Sequence, residues 1–114
     1  MKKLHILKNG YDFNRIIKEN KPYKYKDYII YIERETDDLF KFGFSVGKKI
    51  GNAVMRNKVK RQLKSIVDKK DYQNSFNCII IVGNGILKRS YNEMEINLLT
   101  ALNKLNIIKE EKNV

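Results

Sequence analysis

Three segments of the chain have patterns of hydrophobic and polar residues that predict β-strands. The first covers residues 27–34 and is dense in Tyr and Ile, and the second covers residues 40–46, where every other residue is apolar. The third, residues 77–82, is apolar nearly throughout, which is typical of a strand buried on both faces. Because residues 36–38 supply turn chemistry, we expect the first two strands to pair as an antiparallel hairpin.

Two segments near the ends of the chain have the period of an α-helix. The first, residues 9–19, can be capped by Asn9, and the last opens at a capping box of Ser90 and Glu93. The first helix carries its apolar residues on one side: Phe13, Ile16 and Ile17. The last carries them on one face: Tyr91, Met94, Leu98, Leu102 and Leu105. Beyond it, we expect residues 107–114 to form a frayed polar tail.

A middle helix over about residues 52–69 is apolar on one side and cationic on the other. Its apolar stripe consists of Met55, Val59, Leu63, Ile66 and Val67. Its opposite side consists of Asn57, Lys60, Arg61 and Lys64, with Arg56 and Lys58 on the flanks. The apolar side of the helix can therefore pack against a sheet, and the cationic side can bind a partner.

These elements follow one another in the order α-β-β-α-β-α, with room for one more short strand near the N-terminus. Such an order predicts an α+β fold in which helices pack against a single sheet. A chain of 114 residues is expected to form a single domain, residues 1–114.

The charge is concentrated around the middle helix. The chain has a formal net charge of +11, yet no acidic residue lies between Asp38 and Asp68. The cations of this interval are Lys41, Lys48, Lys49, Arg56, Lys58, Lys60, Arg61 and Lys64. A compositional bias toward Lys would scatter lysines without excluding acids, and a solvated helix face normally has acidic partners four residues away. The pattern therefore favours a bound polyanion.

The loop before this helix adds a site for phosphate. Residues 46–51 lead into the helix N-terminus, where free backbone N–H groups and the helix dipole lie beside Lys48 and Lys49. A nucleotide-binding P-loop is disfavoured because its glycine and lysine spacing is absent. Asn57 among the cations favours a structured RNA, since an amide can bind a sugar hydroxyl or a base edge.

A second candidate surface is aromatic. A groove between the first helix and the sheet, lined by Phe13, Ile17 and Tyr31, would let single-stranded bases stack. From the pattern alone, however, ordinary core packing is the favoured interpretation of Phe13 and Ile17. A structural RNA-binding protein such as a ribosomal protein would need only the basic helix, and a DNA-binding module would need a helix-turn-helix that the pattern lacks.

Other residues exclude several function classes. Cys78 is the single cysteine and lies in an apolar run, so we expect a buried, inert thiol. His5 is the single histidine, and we expect it at the surface with no hydrolase site built around it. No apolar run is long enough to span a bilayer, and no signal-like segment follows Met1, so we expect a cytoplasmic protein.

Residues 43–61, which read GFSVGKKIGNAVMRNKVKR, carry a resemblance to a known family. They are similar, almost residue for residue, to the signature of the bacterial ribonuclease P protein component, whose core is called the RNR motif. The resemblance extends to Asp12 and Phe13 and to the order of elements over about residues 4–105.

The resemblance implies a fold and a function. The fold would be like domain 2 of ribosomal protein S5, with a left-handed β-α-β crossover where general rules predict a right-handed one. The function would be that of the protein subunit of ribonuclease P, which removes the 5′ leader of precursor tRNA. In that enzyme a catalytic RNA performs hydrolysis with Mg²⁺ that the RNA mainly binds. The protein would be monomeric alone.

The resemblance also implies residue roles, carried over by position. The set facing the catalytic RNA would be Lys48, Lys49, Asn52, Arg56, Asn57, Lys58, Lys60, Arg61 and Lys64. The leader would be bound by Phe13, Ile17 and Tyr31. None of these residues would be catalytic or bind a metal. Lys58 replaces the second Arg of the motif and loses its bidentate fork, and Ile17 stands where an aromatic residue is frequent.

Overall fold

The computed structural model describes residues 1–36 and 39–109. The elements in chain order are α1 (Gly10–Glu19), β1 (Tyr23–Tyr25), β2 (Tyr28–Arg34), β3 (Phe40–Ser45), α2 (Ala53–Val67), β4 (Phe76–Val82) and α3 (Tyr91–Lys104). Short 3₁₀ helices occur at Lys3–His5, Lys48–Ile50 and Asn84–Lys88. Each predicted helix and strand is present, and β1 is the additional short strand near the N-terminus.

The four strands form one sheet in the order β1-β2-β4-β3. Strand β4 pairs antiparallel with β2 and parallel with β3, so α2 is the crossover of a parallel β3-α2-β4 unit. The predicted hairpin between β2 and β3 is therefore wrong, because β4 lies between them. The hairpin in this sheet joins β1 to β2. The predicted turn at residues 36–38 lies partly outside the described residues, since Asp37 and Asp38 are not among them.

The central place of β4 follows from its composition. Its consecutive residues Ile79 and Ile80 point to opposite faces of the sheet, and neither is exposed. One face joins α2 and α3 in the main core, where Ile80 packs with Leu63 and Leu98. The other face packs against α1 through Ile79 and Ile16 in a smaller cluster. The predicted α+β class, with helices packed against a single sheet, is confirmed.

The helix caps follow the sequence closely. The side-chain oxygen of Asn9 accepts a hydrogen bond from the N–H of Tyr11, and that of Asn52 accepts one from the N–H of Met55. Ser90 forms the predicted capping box at the start of α3. Each cap satisfies an N–H group that lacks a partner within its own helix.

The segment before α1 covers the edge of β3. The N–H of Leu7 donates to the carbonyl oxygen of Phe42 at 2.8 Å, and Ile6 forms a parallel bridge with the same residue. His5 is half-buried and stacks on Phe40 with ring centroids 3.9 Å apart, so the prediction of a surface histidine is wrong. The ring packs because the edge of β3 would otherwise leave Phe40 uncovered.

The chain beyond α3 is ordered further than expected. Ile107 is 1% exposed, and its carbonyl oxygen accepts a hydrogen bond from the N–H of Gln73 at 2.9 Å. The N–H of Lys109 donates to the carbonyl oxygen of Asp71. The frayed tail predicted for residues 107–114 is therefore wrong for residues 107–109, because apolar side chains there enter the core. Residues 110–114 lie outside the described residues.

Two remaining expectations concern single features. Cys78 is fully buried in the main core, and this burial raises the pKa of its thiol, so the predicted inert cysteine is confirmed. Within residues 1–36 and 39–109, no helix has the length and apolar character needed to cross a membrane.

Gly51 fixes the link between the 3₁₀ helix at Lys48–Ile50 and α2. Its φ of 154° lies in the region that favours glycine, and a Cβ there would lie 2.8 Å from the sulfur of Met55. We expect Gly51→Ala to lower the free energy of unfolding by about 1 to 3 kcal/mol. Urea unfolding measures the loss.

Gly47→Ala is the matched control for this substitution. Gly47 has a φ of −72°, and a Cβ there would meet nothing within 4 Å. We expect its stability to stay at the wild-type value or rise slightly. Equal losses for the two variants would contradict the backbone argument.

Candidate nucleic-acid interface

The cationic side of α2 is displayed at the surface. Four of the predicted RNA-facing residues are exposed along α2 or at its N-cap: Asn52, Asn57, Lys58 and Arg61. Lys60 and Lys64 are half-buried and line a cavity together with Phe44 of β3. Met55, which was predicted for the apolar stripe, is 41% exposed, so the stripe begins at Val59.

The loop before α2 presents two more cations. Lys48 and Lys49 are exposed on a 3₁₀ helix that Ile50 anchors in the core. Asn52 then caps α2 with its side-chain oxygen, which leaves its amide N–H₂ group directed away from the helix backbone. The structure thus gives Asn52 a cap role that the sequence pattern had not assigned to it.

Arg56 differs from the other cations of α2. It is half-buried, and its Nε is buried with no hydrogen-bond partner among the described residues. A buried donor without an acceptor is unfavourable, so this guanidinium gains most from an external phosphate or carbonyl oxygen.

The charge of this surface is not neutralised from within. In the described residues, 1–36 and 39–109, no cation from Lys48 to Lys64 takes part in an ion pair. Glu95 pairs with Lys69, which lies beyond the end of α2. The face therefore keeps its full attraction for a polyanion.

The three residues predicted to line an aromatic groove lie on the other face of the sheet. Phe13, Ile17 and Tyr31 are half-buried, and all three pack against one small cluster formed by Leu7, Ile16 and Ile79. The two interpretations of Phe13 and Ile17, core packing and groove lining, are thus combined in one place. Each side chain buries one side in this cluster and leaves the other side accessible.

Gly43 determines how closely Phe13 approaches the sheet. A Cβ on Gly43 would lie 2.4 Å from the ring of Phe13, so the ring lies directly on the backbone of β3. Any larger residue at position 43 would lift Phe13 and change the depth of the groove. No local pattern in the sequence signals this contact, because the two residues are far apart along the chain.

An ion-pair network holds α1 against the sheet. The guanidinium of Arg15 donates to both carboxylate oxygens of Glu33 on β2, and the side-chain amide of Asn77 on β4 donates to the same carboxylate at 2.9 Å. Asp12 and Glu19 lie on the same flank of α1 and also contact Arg15. The opposite flank carries Phe13 and Ile17, so the network orients the apolar flank.

A cavity of about 280 Å³ connects the two surfaces around the edge of β3. Lys60 and Lys64 of α2 line it from one side, and Phe13 of α1 lines it from the other. Its wall also includes Phe44 and Lys8. Cationic and aromatic side chains therefore line the same cavity, and this arrangement favours the binding of a nucleotide.

The chain matches a known family over nearly its whole length. The sequence model of the family described as Ribonuclease P matches residues 1–106. The chain belongs to the ribonuclease P protein family. The role of this family is the 5′ processing of tRNA, as the protein subunit of the ribonucleoprotein ribonuclease P.

Individual relatives cover nearly the whole chain. It is 36% identical to the "Ribonuclease P protein component" of Mycoplasma mycoides subsp. mycoides SC, over 92% of this chain and 99% of the relative. It is 34% identical to that of Mesoplasma florum, over 87% of this chain and 94% of the relative. The name of these relatives agrees with the resemblance of residues 43–61.

Solved structures agree with the fold. The ribonuclease P protein of Staphylococcus aureus superposes with a TM-score of 0.82 at 27% identity, covering 92% of this chain and 98% of that one. The ribonuclease P protein of Thermotoga maritima superposes with a TM-score of 0.77 at 23% identity, covering 86% and 94%. The second likeness concerns the fold alone.

We expect the network around Glu33 to make the stability of this protein depend on pH. The Arg15 hydrogen bond holds the pKa of Glu33 below its ordinary value of 4.5, and that of Asn77 contributes. A lowered pKa means that the stabilisation is present above pH 4.5 and is lost as the pH falls through the lowered value. We expect Glu33→Gln to be less stable at neutral pH and to lose less stability on acidification, as measured by urea unfolding.

Glu35→Gln is the control for this prediction. Glu35 is exposed and forms no ion pair within the described residues, so its removal should leave the acid dependence at the wild-type slope. An unchanged pH dependence in Glu33→Gln would show that the network does not hold α1.

Proposed function

We propose that this protein uses its two surfaces for two different RNA molecules. The cationic face of α2, together with Lys48, Lys49 and Asn52, binds the catalytic RNA of ribonuclease P. The groove of Phe13, Ile17 and Tyr31 binds the single-stranded 5′ leader of precursor tRNA. The observation that carries the proposal is the Phe13 ring lying on Gly43, which leaves one side of an aromatic platform accessible.

The division of roles follows from chemistry. A helix with unpaired cations suits the closely spaced phosphates of a folded RNA, whereas stacking on Phe13 and Tyr31 is tolerant of base sequence. Leaders differ among precursor tRNAs, so a sequence-tolerant platform suits them. Holding the leader beside the bound catalyst would align the scissile phosphate and favour cleavage by proximity.

Hydrolysis itself is assigned to the RNA. In residues 1–36 and 39–109, no group of three or more His, Cys, Asp or Glu side chains is placed to hold a metal ion. We therefore assign the Mg²⁺ ions of the reaction mainly to ligands of the RNA. We further propose a cytoplasmic location and a protein that is monomeric before it meets its RNA.

The sequence pattern alone also suited a structural RNA-binding protein, and the family match decides against that alternative. Such a protein would need the cationic face of α2 but not an accessible Phe13 platform. The cavity that joins Lys60 and Lys64 to Phe13 supports the ribonuclease P subunit, because it places the two surfaces next to each other.

The decisive experiment reconstitutes this protein with a bacterial ribonuclease P RNA at low Mg²⁺ and supplies precursor tRNA. We expect the protein to stimulate 5′ cleavage. Phe13→Ala and Tyr31→Ala should each weaken binding of leader-bearing precursor by about 1 to 3 kcal/mol and leave mature tRNA unaffected. No stimulation by the wild-type protein would reject the proposed function.

Tyr11→Ala is the matched control for the groove. Tyr11 lies on the same helix and is 73% exposed on its outer side. Its loss should leave leader binding unchanged. Equal weakening for leader-bearing and mature tRNA in Phe13→Ala would indicate a damaged fold and not a leader contact.

The cationic face can be tested through salt dependence. Replacing Lys60 and Arg61 with Ala should reduce the salt slope of binding to the catalytic RNA by roughly one unit for each phosphate that the variant no longer neutralises. Lys70→Ala, an exposed cation beyond the end of α2, should leave the slope unchanged. An unchanged slope in the double variant would show that neither residue binds a phosphate.

A further inference from the structure

The face of the sheet that carries α1 ends in a row of four residues, one from each strand. Their register is continuous: Ser45 of β3 pairs with Ile81 of β4, Ile81 with Ile29 of β2, and Ile29 with Lys24 of β1. We call this row the end strip. Paired residues of neighbouring strands point to the same face, so all four side chains share the face on which Phe13 lies.

The end strip lies beside the flank of α1 that carries Phe13 and Ile17. Arg15 and its carboxylate partners hold the other flank at Glu33, further along β2 than Ile29. Ser45, Ile29 and Ile81 are each only half-buried. The strip therefore forms a partly accessible floor beside Phe13 that is polar at Ser45 and apolar at Ile81 and Ile29.

Lys24 closes this floor at the far edge. Its neighbours Tyr23 and Tyr25 pack against the main core, so strand alternation places Lys24 on the opposite face, as the register does. Lys24 is exposed and forms no ion pair within the described residues. The nearby carboxylate of Asp27 is engaged by Arg89 at 2.7 Å and does not compete for it.

We propose that Lys24 binds a backbone phosphate of the single-stranded leader, upstream of the nucleotides that contact Phe13. This inference rests on the proposed function of the groove. From β3 to β1 the strip crosses three strand spacings, or ~14 Å at about 4.8 Å each. On this path a leader starts at the cavity beside Lys60 and Lys64 and crosses the strip over Ile81 and Ile29. It reaches Lys24 only when it is long enough to span this distance.

The charge distribution along this path supports an anionic chain as the occupant. Lys8, Lys60 and Lys64 lie at its beginning around the cavity, and Lys24 lies at its end. Glu33 is the carboxylate that β2 places on this face. It lies near the end of β2 away from Ile29, and it is paired with Arg15. Cations at both ends and an apolar middle match phosphates separated by stackable bases.

The test uses the reconstituted holoenzyme and a series of precursor tRNAs whose leaders are lengthened one nucleotide at a time. We expect Lys24→Ala to weaken binding about two- to fivefold only beyond a threshold leader length. Beyond that length it should also reduce the salt slope by roughly 0.7. Lys24→Arg should restore both quantities, and Lys70→Ala should change neither.

The outcomes separate this proposal from the function on which it rests. If Phe13→Ala weakens binding of short leaders while Lys24→Ala has no effect at any length, the assignment of Lys24 is overturned and the groove stands. If Lys24→Ala weakens binding equally for all leaders and for mature tRNA, the assignment is also overturned. If Phe13→Ala has no effect at any length, the groove itself fails, and the path to Lys24 fails with it.

Discussion

The burial of β4 on both faces is the constraint on which the rest of this structure depends. Ile79 and Ile80 are adjacent and point to opposite sides, and neither is exposed, so each face of the sheet must be covered. Helices α2 and α3 cover one face and α1 covers the other. Because α2 packs its apolar stripe on the sheet, its cations must face outward. Because only α1 and Leu7 of the described residues pack in the cluster on the second face, part of that face stays accessible. Both candidate surfaces are thus consequences of a central strand in which Ile79 and Ile80 are buried on opposite faces.

The two surfaces differ in how their geometry is maintained. The cations of α2 need only a rigid helix, since attraction for phosphates depends weakly on the position of each long side chain. The groove requires more, because stacking depends on the depth and angle of Phe13. Gly43 sets its depth, and the contact of Arg15 with Glu33 and of Glu33 with Asn77 sets the tilt of α1. Damage to the groove can therefore come from residues that never touch RNA.

Local signals in the sequence predicted most elements of this fold. Asn9 and Ser90 were predicted as caps at helix starts, and the patterns of the apolar residues predicted each helix and the three long strands. The pairing of strands was mispredicted, because the short polar connection between β2 and β3 favours a hairpin. In the structure β4 lies between them. That position buries Ile79 and Ile80, and it depends on contacts between residues far apart in the sequence. The same distinction applies to the sites. Charge along α2 is visible in the sequence, whereas the contact of Phe13 with Gly43 and the alignment of Lys24 with the groove exist only after the sheet has formed.

The cover of β3 by Ile6 and Leu7 has a consequence for the protein before it meets any RNA. An open strand edge offers unpaired N–H and C=O groups to other chains and promotes aggregation. Here the β3 edge is occupied by the chain itself, and the opposite edge is the three-residue β1, flanked and interrupted by Lys26 and Lys24. In the part of the chain described here, a newly made molecule therefore has no long free strand edge on which another copy could pair. Before any RNA is bound, the charge of Lys24 in the middle of the edge strand β1 would disfavour pairing of this strand with a strand of another copy.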